Sequence, residues 1–307
     1  MSIVAEAPGF LQVFSDGAVK RLVHQTADPS TNISNEYKSK DVTIDHSKPI
    51  TARIFLPTDS KPPQQQLPVL VYFHGGGFCI GSTTWLGYHV FLGNLSSTAK
   101  AIVLSIDYRL APENKLPIAY DDCFTALEWL GSNSEPWLER ADLSRVFLSG
   151  DSAGGNIAHQ VVIQSVKMNI ANVRIKGLLP IHPFFGSTTR TELELAEGSA
   201  GEVAMNDMFW KLSLPDGTDR DFYGCNFEKE DDATEWRHFP AVTVFVAGLD
   251  FLKERGVMYA EFLKKKGVKS VSLVEAEDEV HVFHAWNPES EATCLLQKQI
   301  GSFIQSL

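Results

Sequence analysis

Runs of consecutive apolar residues alternate with longer segments in which apolar and polar positions recur at helical spacing. The runs 67–73, 146–148 and 241–247 are apolar at almost every position, which is typical of strands buried on both faces of a parallel sheet. Helical patterns follow the last two runs, over about 153–167 and 253–265. This alternation predicts an α/β fold with a mostly parallel central sheet flanked by helices.

Two parts of the chain depart from that alternation. Near the N-terminus, the segments 10–14 and 19–22 flank a turn and predict a hairpin, and two more antiparallel strands are expected between 42 and 56. We expect all four strands to begin the central sheet. Between about 182 and 238 the chain becomes rich in Phe, Trp, Thr and acidic residues. We therefore predict a single domain over 1–307, with a cap formed by about 182–238 and the N-terminal segment.

Composition narrows the range of partners. The 307 residues carry a formal net charge of −11 without clusters of Lys and Arg, which argues against nucleic acid and membranes as partners. No apolar stretch approaches the roughly twenty residues of a transmembrane helix, and residues 1–10 lack a signal-peptide pattern. The four cysteines are widely scattered. We expect a cytoplasmic protein with reduced thiols, no metal and no cofactor, and the oligomeric state stays open.

A serine is expected on a sharp turn between a strand and a helix. Residues 150–154 read Gly-Asp-Ser-Ala-Gly and directly follow the apolar run 146–148. The glycines permit a strained backbone at Ser152, and the N-terminus of the next helix favours negative charge beside its hydroxyl. This arrangement is a nucleophile elbow. Ser152 is the candidate nucleophile, and the N–H of Ala153 is a candidate donor to an oxyanion.

Partners for this serine occur on both sides of it in the chain. Upstream, a predicted strand runs into three glycines, and the N–H groups of Gly75 and Gly76 can approach an oxyanion without a side chain in the way. Downstream, Asp250 and His281 each follow a predicted strand. Both should lie at the carboxyl ends of adjacent parallel strands. Ser152 would then attack an acyl carbon, with His281 as general base and Asp250 orienting the imidazole.

These motifs together resemble the plant carboxylesterases of the hormone-sensitive-lipase-like group of α/β-hydrolases, which is related to the gibberellin receptors. The resemblance covers nearly the whole chain and rests on the motifs at 74–78, 107–113, 116–117, 119–122, 150–156, 182–186 and 212–217. It implies an α/β-hydrolase fold and hydrolysis of a small ester, of plant-metabolite type, through a serine acyl-enzyme. It also assigns the triad to Ser152, Asp250 and His281, and the oxyanion loop to Gly75 and Gly76.

Two features limit what the resemblance implies about the base. The family commonly has Gly directly after the catalytic histidine, whereas Val282 follows His281 in this chain. A β-branched residue would be strained there if the site requires a positive φ. A second histidine, His284, lies three residues further on, and we predict that His281 is the base.

Apolar residues of the predicted cap are candidates for binding the substrate. They are Phe184, Phe185, Phe209, Trp210 and Leu214.

Two other function classes compete with the esterase. The gibberellin receptors share the fold but lack the catalytic histidine and close a helical N-terminal lid, whereas this chain has His281 and only about ten residues before its first predicted strand. A lyase or cyclase would use the same pocket, and the motifs do not exclude it. An elimination needs a base but no nucleophile, so a complete Ser-His-Asp set favours the esterase.

Overall fold

The computed structural model describes residues 2–30, 36–58, 66–132, 135–230 and 235–307. The strands are β1 (Ile3–Ala7), β2 (Leu11–Phe14), β3 (Val19–Arg21), β4 (Tyr37–Asp45), β5 (Ile50–Pro57), β6 (Leu67–Phe73), β7 (Ile102–Asp107), β8 (Ala141–Asp151), β9 (Ile175–Ile181), β10 (Ala241–Ala247) and β11 (Val271–Ala276). The α-helices are α1 (Leu86–Ala99), α2 (Ile118–Ser132), α3 (Ala153–Met168), α4 (Glu192–Leu195), α5 (Ala200–Ser213), α6 (Lys253–Lys265), α7 (Phe283–Trp286) and α8 (Glu291–Ser306).

Eight strands form the central sheet in the order β11-β10-β9-β8-β6-β7-β5-β4. The six strands from β6 to β11 pair in parallel, and β5 runs antiparallel to both β7 and β4. This topology confirms the predicted α/β fold with a mostly parallel sheet. Strands β4 and β5 begin that sheet at one edge, as expected.

The N-terminal hairpin lies elsewhere than expected. Strands β2 and β3 form the hairpin, but they join β1 in a separate three-stranded sheet, so the expectation that they begin the central sheet was wrong. Arg21 explains the location, because its guanidinium donates to the carbonyl oxygens of Cys79 and Ala111 and pairs with Glu113. These contacts hold the small sheet against the loops that follow β6 and β7.

Both faces of the central sheet are covered by helices. All seven positions of β6 are buried. Leu70 and Tyr72 pack in the core shared with α1 and α8, whereas Val69, Val71 and Phe73 pack in the core shared with α2 and α3. Each large side chain buried in this way contributes about 1.5–3 kcal/mol. The result is a rigid frame for the loops at the carboxyl ends of the strands.

The chain leaves the sheet between β9 and β10. Among the described residues, this segment contains α4, α5 and three 3₁₀ turns, at Glu197–Ser199, Phe227–Lys229 and Trp236–His238. Residues 231–234 of the predicted cap lie outside the described residues. In the part of the chain that the structure describes, no helix has the length and apolar character that crossing a bilayer requires.

Candidate active site

Ser152 occupies the turn between β8 and α3, with a φ of 51° and a ψ of −119°. A Cβ atom added at Gly154 would lie 1.8 Å from the carbonyl oxygen of Phe73, and one at Gly150 would lie 2.5 Å from the backbone of Gly154. Contacts this short forbid a side chain at either position. The glycines therefore let the turn pack against β6 while the serine backbone keeps its strained conformation.

The structure brings the three predicted triad residues together. His281 Nε2 lies 3.0 Å from Ser152 Oγ, and His281 Nδ1 lies 2.6 Å from Asp250 Oδ2. Because a carboxylate only accepts hydrogen bonds, Nδ1 carries the proton and Nε2 is free to accept the serine proton. The other oxygen of Asp250 accepts the N–H of Leu252 at 2.9 Å, which fixes the carboxylate at the start of α6.

The contact between Asp250 and His281 shifts their pKa values in opposite directions. Burial of Asp250 disfavours its charged form, but the neighbouring His281 outweighs this effect and lowers the pKa of the carboxyl below its usual value. Burial likewise disfavours the His281 cation, but the charge of Asp250 and their hydrogen bond raise the pKa of His281 above its usual value. The pair is thus arranged to stabilise the imidazolium that forms when the serine loses its proton.

His284 lies away from the nucleophile. It is fully buried, and its Nε2 lies 3.3 Å from the hydroxyl of Tyr72. Burial lowers the pKa of His284 to about 3. Between the two histidines, Val282 has a left-handed φ of 49°, the condition under which a β-branched residue is strained. The geometry therefore favours His281 as the base.

In the glycine loop after β6, one of the predicted oxyanion donors, Gly75, has to be corrected. The N–H of Gly75 already donates to Asp151 Oδ1 at 3.1 Å and lies 3.0 Å from the hydroxyl oxygen of Tyr88. Gly75 is therefore not suited to bind an oxyanion. Among the described residues, the N–H groups of Gly76, Gly77 and Ala153 donate no hydrogen bond.

A buried carboxylate holds this loop in place. Asp151 directly precedes Ser152 and is fully buried, and its oxygens accept hydrogen bonds from Tyr72 at 2.7 Å, Tyr88 at 2.8 Å and the N–H of Gly75. Burial raises the pKa of Asp151, and the two tyrosine hydroxyls counter part of this effect. Asp151 thus ties the oxyanion loop to the nucleophile elbow.

His74 also braces the loop. Its Nδ1 lies 2.8 Å from the carbonyl oxygen of Gly75, and its ring stacks on Tyr108 with centroids 4.4 Å apart. The Tyr108 hydroxyl donates to the His74 carbonyl oxygen at 2.8 Å.

Ser152 and His281 open into a cavity of about 560 Å³. Gly76 and Gly77 line the same cavity, so the free N–H donors and the nucleophile share one space. A volume in this range accommodates a small organic ligand.

Two of the five candidate pocket residues, Phe184 and Phe209, line this cavity. The other three do not, so their prediction was wrong. Phe185 points into the body of the protein, where its ring lies 4.8 Å from that of Tyr259. Trp210 stacks on the back of Phe184 with centroids 4.4 Å apart, and Leu214 is buried beyond the end of α5. Phe184 and Phe185 lie in a segment without regular periodicity, so no sequence pattern indicated which of the two faces the cavity.

Sequence reasoning missed most of the aromatic cavity wall, to which the N-terminal segment contributes Phe10 and His24. Phe10 stacks on His24 at 4.5 Å, His24 packs on Trp85 at 4.4 Å, and Phe10 meets Trp286 edge-on at 5.9 Å. All four line the cavity.

The cavity wall is mostly apolar, and its carboxylates are the side chains of two acidic residues. Glu202 and Asp151 line it, and no Lys or Arg in the described part of the chain does. A negative group in a ligand would therefore lack a cationic partner.

One cluster has a donor set that could hold a metal ion. Ligand atoms of His182, Asp250 and His281 lie within 4.8 Å of one another. His281 Nδ1 contacts Asp250 and His281 Nε2 contacts Ser152. His182 Nδ1 accepts a hydrogen bond from the N–H of Val282. Because His281 Nδ1 carries a proton, and the lone pairs of His281 Nε2 and His182 Nδ1 accept hydrogen bonds, the cluster is better described as a hydrogen-bonded network.

Comparison with known proteins identifies the family of the chain. Residues 70–285 match a family with the alpha/beta hydrolase fold. The chain is 41% identical to probable carboxylesterase 6 of Arabidopsis thaliana over 231 residues, which cover 73% of this chain and 69% of that protein. It is 36% identical to the chloroplastic tuliposide A-converting enzyme 1 of Tulipa gesneriana over 99% of this chain and 78% of that enzyme.

A solved structure extends the comparison to the fold. The hyperthermophilic esterase from Pyrobaculum calidifontis superposes with a TM-score of 0.75 at 30% identity, covering 88% of this chain and 85% of that one. The chain therefore belongs to the α/β-hydrolase family, within the group that contains the plant carboxylesterases.

Proposed function

We propose that this protein hydrolyses carboxylic esters through an acyl-enzyme on Ser152. The observation that carries the proposal is the line of hydrogen bonds from Asp250 through His281 to Ser152, which ends at the cavity beside unused N–H donors. Nucleophile, base and orienting acid are thus in contact before any ligand binds.

The reaction follows from this arrangement. His281 Nε2 takes the proton of Ser152 as the oxygen attacks the ester carbon, and Asp250 stabilises the imidazolium. The N–H groups of Gly76, Gly77 and Ala153 are proposed to bind the oxyanion of the tetrahedral intermediate. His281 then gives its proton to the leaving alcohol, and a water molecule deacylates the enzyme by the same steps in reverse.

The substrate is proposed to be a small neutral ester. The cavity wall supports this, since it is aromatic, carries Glu202 and has no Lys or Arg among the described lining residues. The segment at about 182–238 and the N-terminal segment are proposed to act together as a cap, because α5 and the 7–25 region both supply cavity walls. A plant-metabolite ester fits the similarity to an enzyme named for converting tuliposide A.

The receptor and lyase alternatives have less support. A receptor of the gibberellin type would lack the catalytic histidine, whereas His281 Nε2 lies 3.0 Å from Ser152 Oγ in this chain. A lyase would need a base, but it would not need the contact between His281 and Ser152 Oγ.

A cytoplasmic location stays a proposal. The four cysteines are free thiols, which fits a reducing compartment. Because tulip relatives are named as chloroplastic and amyloplastic, a fluorescent fusion of the full chain should be imaged against plastid markers.

The proposal is tested with p-nitrophenyl butanoate. The wild-type protein should release p-nitrophenol with burst kinetics or steady turnover, and Ser152→Ala should lower kcat by roughly 10⁴ to 10⁶. Binding of an unreactive ketone analogue of the ester should be nearly unchanged in Ser152→Ala. A variant that keeps kcat within about tenfold of wild type would rule out the acyl-enzyme.

A further inference from the structure

A buried histidine outside the proposed triad contacts the loop that carries the base. His182 follows β9 and is 2% exposed. Its Nδ1 accepts the backbone N–H of Val282 at 2.9 Å. Since Val282 directly follows His281, this hydrogen bond acts on the turn that decides where the base lies.

The backbone around His182 also contacts the nucleophile and the strand that leads to the acid. The N–H of Ser152 donates to the carbonyl oxygen of Ile181 at 2.9 Å, and the N–H of Phe184 donates to the carbonyl oxygen of Ser152 at 2.9 Å. On the other side, the N–H of His182 donates to the carbonyl oxygen of Phe245 in β10 at 2.8 Å. Because β9 lies between β8 and β10, the segment after β9 is held by both neighbours.

The turn after His281 needs such a contact because its backbone is strained. Val282 has a φ of 49° and a ψ of 35°, which is the left-handed region. For a residue with a Cβ atom this conformation costs roughly 1–2 kcal/mol, and it persists only where the surroundings impose it. A glycine at this position would adopt it freely.

We propose that His182 is a positioning residue that holds the turn after His281 by accepting the N–H of Val282. The inference rests on the proposed ester hydrolysis and adds a residue that touches neither substrate nor reacting atoms. The contact requires Nδ1 to be unprotonated, which places the proton of His182 on Nε2.

The surroundings keep His182 in this accepting form. Its ring faces Asp250, His281 and His284, and burial lowers its pKa well below the usual value despite the opposing charge of Asp250. His182 therefore stays neutral while His281 gains and loses its proton.

The test replaces His182 with three residues of different hydrogen-bonding ability. His182→Leu removes the acceptor, His182→Asn places an amide oxygen near the position of Nδ1, and His182→Gln places one near Nε2 instead. With p-nitrophenyl butanoate, kcat/KM should fall about 10- to 100-fold in the Leu and Gln variants, since a small displacement of a catalytic group has effects of this size. The Asn variant should stay within about threefold of wild type.

His159 provides a matched control. It is fully buried, and its Nδ1 lies 2.8 Å from the hydroxyl of Tyr259, away from the triad. His159→Leu removes a comparable hydrogen bond and should lower thermal stability, but it should leave kcat/KM per folded molecule within about threefold of wild type. An equal loss of kcat/KM in His159→Leu and His182→Leu would overturn the proposal.

A double-mutant cycle with Val282→Gly tests the link to the strained turn. Because Gly adopts the left-handed conformation without strain, His182→Leu should cost less than about threefold in the Val282→Gly background. The same loss in both backgrounds would show that His182 does not act through Val282.

The downfield proton resonance of the hydrogen bond between His281 and Asp250 tests the inference without turnover. It should weaken or shift in His182→Leu and stay in His182→Asn and His159→Leu. An unchanged resonance in His182→Leu overturns the positioning role. A wild-type protein that shows the resonance but hydrolyses no ester would instead contradict the proposed function, so the two failures are distinguishable.

Discussion

A side chain at Gly76 should abolish oxyanion stabilisation while leaving the nucleophile in place. Gly76 has a φ of 111°, and a Cβ atom there would lie 2.3 Å from the carbonyl oxygen of Ile80. Ile80 cannot retreat easily, because the N–H groups of Cys79 and Ile80 both donate to the carbonyl oxygen of Gly76 at 3.0 Å. Gly76→Ala must therefore move the backbone that carries the donor N–H groups.

The expected magnitude follows from the number of donors displaced. Loss of one oxyanion donor costs about 10² to 10³ in kcat, or about 2.7–4 kcal/mol of transition-state stabilisation. Gly76 and Gly77 belong to the same turn, so Gly76→Ala should lower kcat at least 100-fold. The assay is kcat on p-nitrophenyl butanoate, corrected for the folded fraction from thermal unfolding.

Gly17 is the matched control for backbone strain. It has a φ of 86°, lies in the N-terminal hairpin, and a Cβ atom there would meet nothing within 4 Å. Gly17→Ala should lose about 1–2 kcal/mol of stability and keep its activity per folded molecule. If Gly76→Ala loses activity only in proportion to its unfolded fraction, the loop is structural and the oxyanion assignment is refuted.

Three further outcomes are expected. His281→Ala should remove the pH-dependent limb of kcat/KM, whereas His284→Ala should keep that limb and lose less than about tenfold in rate. The measurement is a pH–rate profile of each variant, and the reverse result would make His284 the base. Asp250→Asn should lower kcat by about 10⁴. It should also shift the remaining limb of the pH–rate profile to lower pH, because the carboxylate that raises the pKa of His281 is gone. An unshifted limb would contradict the pairing of Asp250 with His281. The anionic p-nitrophenyl hemisuccinate should have a kcat/KM at least about tenfold below that of p-nitrophenyl butanoate, and Glu202→Gln should reduce this difference in kcat/KM. Equal kcat/KM values for the two esters would contradict a cavity selective for neutral esters.

The sequence predicted those features that depend on local pattern and strand order. The elbow at Ser152 needs only a strand, two glycines and a helix in succession. Asp250 and His281 follow strands that are adjacent and parallel, so their meeting at one sheet edge followed from the alternation of elements. Three-dimensional packing was not required for either inference.

Other features depend on contacts between segments distant in the chain. The N–H of Gly75 is occupied because Asp151, 76 residues later, reaches back to it from the elbow. Phe184 and Phe185 are neighbours in an irregular segment, and no periodicity indicates that one faces the cavity and the other the body. The N-terminal sheet is placed by Arg21, whose partners lie 58 to 92 residues away.

The nucleophilic role of Ser152 is tested most directly by mass spectrometry after reaction with an organophosphate ester. The account predicts one covalent adduct per chain, located on the peptide that contains Ser152 and absent from Ser152→Ala. An unlabelled wild-type protein, or an adduct that persists in Ser152→Ala, would contradict the acyl-enzyme mechanism.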